Sequence, residues 1–204
     1  MHEAVTDQVT LVLASSSPRR QELVRSLGFP YRIEVSDADE QVEESLTPSQ
    51  IVETLSLRKV NVIYDKLKLE QQMGRSILIG SDTIVVKDGV VLGKPINEQD
   101  AAHMLSMLQN ATHQVYTGIA CVDLETGQSI MRHRATDVHM KPLTDGQIKR
   151  YIATGEPMDK AGSYAIQGIG ATFVESIEGD YFNVVGLSVS LLSDMLAELD
   201  VNIL

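Results

Sequence analysis

An apolar run, Leu11-Val12-Leu13-Ala14, stops at Ser15-Ser16-Ser17-Pro18-Arg19-Arg20, and a helical pattern follows as far as Leu27. That succession calls for a strand, a turn and a helix opening on proline, whose missing N–H is not needed in a first helical turn. Backbone N–H groups at a helix start favour an anion. Small hydroxyls such as Ser17, with the guanidinium groups of Arg19 and Arg20 beside them, make a seat for polyphosphate. Cations at a helix N-terminus oppose its dipole, and an anion between them relieves the conflict. The alternative reading is two solvated arginines in an ordinary first turn.

Strand-like and helix-like segments go on alternating, which points to an α/β domain. Strands are expected over 9–15 and 30–36, with a helix over 18–27 closed by Gly28. Thr47-Pro48 opens a long helix to about Lys68. Ile77-Leu78-Ile79-Gly80 reads as a buried strand ending at Ser81-Asp82-Thr83, and residues 85–91 read as a hairpin because Asp88-Gly89 suits a type I′ turn. Asn97 caps a helix to about Leu108; strands near 113–123 and 128–139 turn at Thr126-Gly127; Thr144 starts a helix to Ala153. A glycine-rich loop over 159–170, a strand over 171–178 and a helix over 187–199 complete the chain. Without repeat, low-complexity tract or flexible linker, residues 1–204 are expected to form a single domain.

Bulk properties narrow the partners. The formal net charge of -11 argues against a nucleic-acid or membrane-surface binder, either of which wants a basic field. An anionic ligand must then meet a local cluster of cations, helped by a metal ion. The single Cys121 permits no disulfide within the chain, residues 1–8 do not resemble a signal peptide, and no apolar stretch is long enough to span a bilayer. A soluble cytoplasmic protein is the expectation.

Several side chains could carry chemistry. Asp82 follows a strand, and in open α/β sheets ligands gather beyond the carboxyl ends of strands; it is a candidate metal ligand or base, or else a turn-forming aspartate bonded to its own backbone. Lys94 stands between Gly93 and Pro95, placed for a phosphate contact or for solvent. Glu40 lies in a loop rich in carboxylates (Asp37, Asp39, Glu43, Glu44), one of which could share a hard cation with Asp82; spacing does not choose among them. Asp159 to Gly168 combines small residues with an acid, a base, hydroxyls and the amide of Gln167, a candidate wall of a nucleotide cleft. His133 and His139 read as a solvated strand face, and Met104 and Met107 as core fillers.

Taken in order, these segments resemble the Maf family of nucleoside triphosphate pyrophosphatases. The resemblance runs from Leu11 to about Leu192: Ala14 to Arg20, Glu40, Lys59, Ser81-Asp82-Thr83, Gly93-Lys94-Pro95, Thr117-Gly118, Asp159 to Gly168, and Asn183-Val184-Val185-Gly186-Leu187. Ser188 departs from the pattern, standing where the family often has proline, and changes how the last helix starts. The resemblance implies an elongated mixed β-sheet flanked by helices, with two lobes around a central cleft, similar to inosine triphosphatases. It also implies hydrolysis of a nucleoside triphosphate to a monophosphate and diphosphate. Asp82 would be the proton acceptor, Glu40 and Asp82 would hold a divalent cation (Mg, Mn or Co), and Ser17, Arg19, Arg20, Lys59 and Lys94 would bind substrate. A homodimer is expected by family analogy.

The base follows from an amide. Gln167 offers one donor and one acceptor in a plane, complementary to the N3–H and O4 edge of thymine or uracil, whereas guanine presents two donors that a carboxylate matches better. Arg19, Thr83 and Gln167 resemble the subgroup acting on dTTP and UTP. The expected role is a house-cleaning enzyme that removes unwanted or 5-modified pyrimidine nucleotides. The alternatives are a nucleotide-binding regulator of cell division and septum formation, and a phosphatase releasing single phosphates.

Overall fold

The computed structural model describes residues 9–43, 45–70 and 74–203; segment 1–8, read above as no signal peptide, and the loop acid Glu44 lie outside the described residues. In chain order the elements are β1 (Thr10–Leu13), α1 (Pro18–Ser26), β2 (Tyr31–Ile33), α2 (Pro48–Glu70), β3 (Ser76–Lys87), β4 (Val90–Leu92) and α3 (Glu98–Leu108). Then come β5 (Thr112–Asp123), β6 (Ser129–Met140), α4 (Asp145–Ile152), β7 (Val174–Glu178), α5 (Tyr181–Val185) and α6 (Val189–Glu198). The strands form one mixed sheet in the order β2-β1-β3-β5-β6-β7, with β4 paired to β3. β1 lies parallel to both β2 and β3, and β4 antiparallel to β3. Among the described residues no helix is long and apolar enough to cross a membrane.

The chain divides into two compact units: Met1–Asp82 with Gly118–His133 and Gly186–Leu204, and Thr83–Thr117 with Arg134–Val185. In the first, the sheet is buried on both faces, which is why its strands read as unbroken apolar runs. Successive side chains point to opposite faces. Leu11, Leu13, Ile77, Ile79, Ile119 and Cys121 join a core with residues of α1 and α6. Val12, Ala14, Leu78, Ala120 and Val122 face Val60, Ile63 and Leu67 of α2. In the second unit, one core gathers Val85, Leu92, Leu105, Leu108, Val138, Ile148, Tyr151 and Phe173, with Met104 inside it and Met107 packed against it.

Two glycines bring α2 down onto the sheet. A Cβ on Gly118 would sit 2.3 Å from the Val52 carbonyl oxygen, and one on Gly80 would sit 2.2 Å from that of Ser56. Val52, Ser56, Val60, Ile63 and Leu67 recur at helical spacing, so one stripe of α2 meets the strands along its length. The helix backbone therefore rests on strand backbone with no side chain between.

Local signals explain most boundaries. Asn97 caps α3 by accepting from Asp100 N (2.9 Å), and Thr144 with Gln147 forms a capping box on α4. Asp88 (φ 48) and Gly89 (φ 80) both take the left-handed conformation that a type I′ turn requires. Ser188, the departure from the family's proline, caps α6 by accepting from Leu191 N (3.3 Å). Two expectations need correction, and one short helix has no counterpart in the sequence reading. β3 does not end at Ser81-Asp82-Thr83 but runs on to Lys87, since β4 keeps its second half in a ladder. Residues 168–173 wind into a 3-10 turn, so β7 begins only at Val174. The short α5 is nucleated by Asp180, whose carboxylate accepts from Phe182 N (2.8 Å) and Asn183 N (3.3 Å).

Gly118→Ala places a methyl group against backbone that cannot swing aside. We expect a loss of about 3 kcal/mol or more in denaturant-induced unfolding, at the upper end of the usual cost of overpacking. A variant of unchanged stability would show that α2 does not depend on this contact.

Candidate active site

The first unit assembles six of the expected residues from four separate stretches of sequence. Ser17 precedes α1 in extended conformation (φ -65, ψ 116), Pro18 opens the helix, and its first turn contains no acidic residue. Ser15 Oγ accepts from Ser17 N (3.2 Å) and lies 3.5 Å from Arg20 Nη1, bracing the turn. Arg20 Nε donates to the Gly186 carbonyl (2.7 Å), which also accepts from Ser81 Oγ (3.0 Å). One carbonyl thus ties the start of α1 to the residue beside Asp82.

Leu78, Gly80 and Asp82 share one face of β3, the face on which α2 lies. With Ser56 seated on Gly80, Lys59 falls one turn further along, beside Asp82. Its ammonium bonds Asp82 Oδ1 and pairs with Glu40 Oε1 at 2.9 Å. Lys59 and Asp82 are largely shielded from solvent, while Glu40 is more than half exposed. Register explains why Asp82 can serve a ligand although β3 continues past it. β1 pairs with β3 only as far as Leu13↔Ile79, so Asp82 lies beyond the carboxyl end of its parallel neighbour.

The charges of this unit act on one another. Burial lowers the pKa of the Arg20 guanidinium, the Asp82 and Glu40 carboxylates pull it back up, and Arg19 pushes it down. Arginine stays charged throughout. Arg19, Arg20, Lys59, Glu40 and Asp82 therefore form one electrostatic cluster of cations and acids, as an anion seat with a cation-binding pair requires.

The second unit holds the other three residues. Thr83 Oγ1 is 2.9 Å from Thr117 Oγ1, which donates to the Asn183 carbonyl (2.8 Å). A hydroxyl has one proton, so Thr83 must be the donor to Thr117. Lys94 is exposed; the preceding Gly93 carbonyl accepts from Gly162 N (3.0 Å), tying the Gly93-Lys94-Pro95 turn to the glycine-rich segment. Gly162 (φ +66) packs so closely on Val85 that a Cβ would lie 2.9 Å from it. Gln167 is half-buried ahead of a 3-10 turn. Among the described residues, the side chains of Arg19, Lys94 and Gln167 have no hydrogen-bond or ion-pair partner.

The histidines stay outside this chemistry. His133 Nδ1 pairs with Glu53 (2.8 Å) and His139 Nδ1 with Thr112 Oγ1 (2.7 Å). Burial brings His113 down to about 4, keeping it neutral against the Tyr164 hydroxyl (2.7 Å).

The profile of Maf-like proteins matches residues 10–199. This chain belongs to the Maf family. It is 48% identical over 193 residues to a dTTP/UTP pyrophosphatase of Desulforamulus reducens, spanning 95% of this chain and 98% of that protein. It is 48% identical over 186 residues to a dTTP/UTP pyrophosphatase of Alkaliphilus metalliredigens, spanning 91% and 94%. The corresponding protein of Pelotomaculum thermopropionicum is 45% identical over 194 residues, spanning 95% and 98%.

Some residues of this Maf protein have structural roles that no motif announces. Ser15, Ser81 and Gly186 fix the arginine turn, and Thr117 sets the direction of the Thr83 hydroxyl. All four fall within the stretches that carry the family resemblance, but only their partners reveal what they do.

Lys59→Met leaves two carboxylates without their shared ammonium. In metal-free buffer we expect a loss of about 2 kcal/mol in unfolding free energy, less than for a fully buried pair because Glu40 is open to solvent. Unchanged stability would mean that the ammonium is not holding these carboxylates.

Proposed function

We propose that this Maf protein hydrolyses dTTP and UTP between the α- and β-phosphates, releasing the nucleoside monophosphate and diphosphate. The observation that carries the reading is the cluster of Arg19, Arg20, Lys59, Glu40 and Asp82, an anion seat joined to a pair of carboxylates in an otherwise acidic chain. The names of its relatives add the substrate. Residues 1–204 would act as one domain on free nucleotides, a task suited to the cytoplasm, where hydrolysis of modified pyrimidine nucleotides would limit their misincorporation.

In this reaction Asp82 takes a proton from water, the water oxygen bonds to phosphorus, and the anhydride P–O bond breaks with its electrons leaving on the departing phosphate oxygen. Charge on the transferring and departing oxygens must be offset for the displacement to proceed. Arg19, Arg20, Lys59 and Lys94 supply positive charge, with Ser17 at the same helix start. Thr83 and Gln167 recognise the nucleoside, the amide of Gln167 matching N3–H and O4 of thymine or uracil.

The donor set fits a hard divalent cation. Among the described residues no three His, Cys, Asp or Glu side chains gather as a cage for a metal. Two carboxylates sharing one ammonium match Mg²⁺, which takes one or two carboxylates and completes its shell with water and substrate phosphates. Glu40 and Asp82 would hold the ion, with Mn or Co as alternatives. When bound, it polarises a phosphoryl oxygen and makes water more acidic.

The test is a panel of nucleoside triphosphates with Mg²⁺, Mn²⁺ or Co²⁺, scored separately for diphosphate and orthophosphate. Diphosphate release, fastest from dTTP and UTP, is expected; orthophosphate as the first product would contradict the reaction. Asp82→Asn should lose at least about a hundred-fold in turnover, the scale of a general base, while calorimetry still detects dTTP binding. Undiminished turnover in that variant would remove Asp82 from the chemistry.

A further inference from the structure

The segment before and after Gln167 is held at both ends by one pair of side chains. Tyr151, on the buried face of α4, donates its hydroxyl to Glu156 Oε1 (2.9 Å), and the Tyr151 hydroxyl oxygen accepts from Ala165 N at 3.3 Å. The Glu156 carboxylate in turn accepts from Ile169 N (3.1 Å) and Gly170 N (2.9 Å). Gln167 lies between these anchors.

The surrounding glycines show how closely the carboxylate fits. Gly168 has φ +68, and a Cβ there would lie 2.8 Å from Glu156 Oε2. A Cβ on Gly170 would lie 2.6 Å from the Tyr151 hydroxyl. Gly155 (φ 75) turns the chain after α4 so that Glu156 can reach back. Burial raises the Glu156 pKa, but the bonds from Gly170, Ile169 and Tyr151 outweigh it, and the net shift is downward. The group is an anion at neutral pH, and its bonds are charge-assisted.

We infer that Tyr151 and Glu156 are positioning residues for base discrimination, fixing the backbone on either side of Gln167 so that its amide meets the pyrimidine edge squarely. The inference rests on the pyrimidine reading given above and adds to it the device that makes the amide selective. Two-point recognition in a plane is lost when the recognising group shifts by even an ångström. Only the matching base forms both bonds, so misplacement penalises thymine heavily. Guanine, with two donors on its recognition edge, never forms both bonds to an amide and loses little. A residue important only to folding would lower turnover of both nucleotides alike.

The experiment compares kcat/KM for dTTP and dGTP in wild type, Tyr151→Phe and Glu156→Gln, each confirmed as folded by circular dichroism. Amide hydrogen exchange at Ile169 and Gly170 is measured alongside. We expect the dTTP value to fall at least ten-fold in Glu156→Gln and less in Tyr151→Phe, with the dGTP value within three-fold of wild type. The two amides should exchange at least ten-fold faster in Glu156→Gln. Equal losses for both nucleotides, an unchanged dTTP-to-dGTP ratio, or unchanged exchange would overturn the positioning role. A wild-type enzyme with no preference for dTTP over dGTP, while exchange behaves as expected, would overturn the pyrimidine reading instead.

Discussion

The contact between the backbone of α2 and the sheet, made at Gly80 and Gly118, governs the chemistry of the first unit. Any side chain at either glycine would drive the helix outward, because the opposing atoms are carbonyl groups of Val52 and Ser56. Close approach does more than exclude water. It fixes the helix in register with β3, so that Lys59 comes to Asp82 by geometry and not by the reach of a flexible side chain. Position, packing and charge are therefore set together, and the glycines act on the site without touching a ligand.

An acidic protein that handles a polyanion has an electrostatic conflict to resolve, and this chain resolves it locally. The net charge of -11 is spread over the molecule, whereas Arg19 and Arg20 are concentrated at a helix start that contains no acid in its first turn. The arginine turn is braced by serine hydroxyls and by the Gly186 carbonyl, which orient it without cancelling its charge. The acids that approach it, Glu40 and Asp82, share the Lys59 ammonium. Cations and carboxylates are thus interleaved, a pattern suited to a ligand that brings both negative charge and a metal ion.

Much of this was legible in the sequence wherever local chemistry decides the outcome. The apolar run and Pro18 marked β1 and α1, Asp88-Gly89 marked the hairpin, and Asn97 and Thr144 marked two helix starts through caps they do form. Asp82 and the arginine turn were visible as unusual residues in suggestive places. Lys59 was not: on a 23-residue helix nothing local separates it from Lys66 or Lys68, and only the family resemblance picked it out. The continuation of β3 past Asp82 depends on partners in other strands, and the 3-10 turns after Glu156 depend on a carboxylate more than ten residues away. Such features arise from contacts between distant segments, which periodicity and propensity do not encode.

The most direct measurement is the turnover of dTTP by Gly80→Ala, made at a temperature where circular dichroism shows the variant folded. A methyl group there displaces α2 from β3 and carries Lys59 away from Asp82 while every proposed substrate-binding side chain remains present. The account predicts at least a ten-fold fall in diphosphate release. Turnover equal to wild type would contradict it, because the active arrangement would then not depend on the helix lying against the strand.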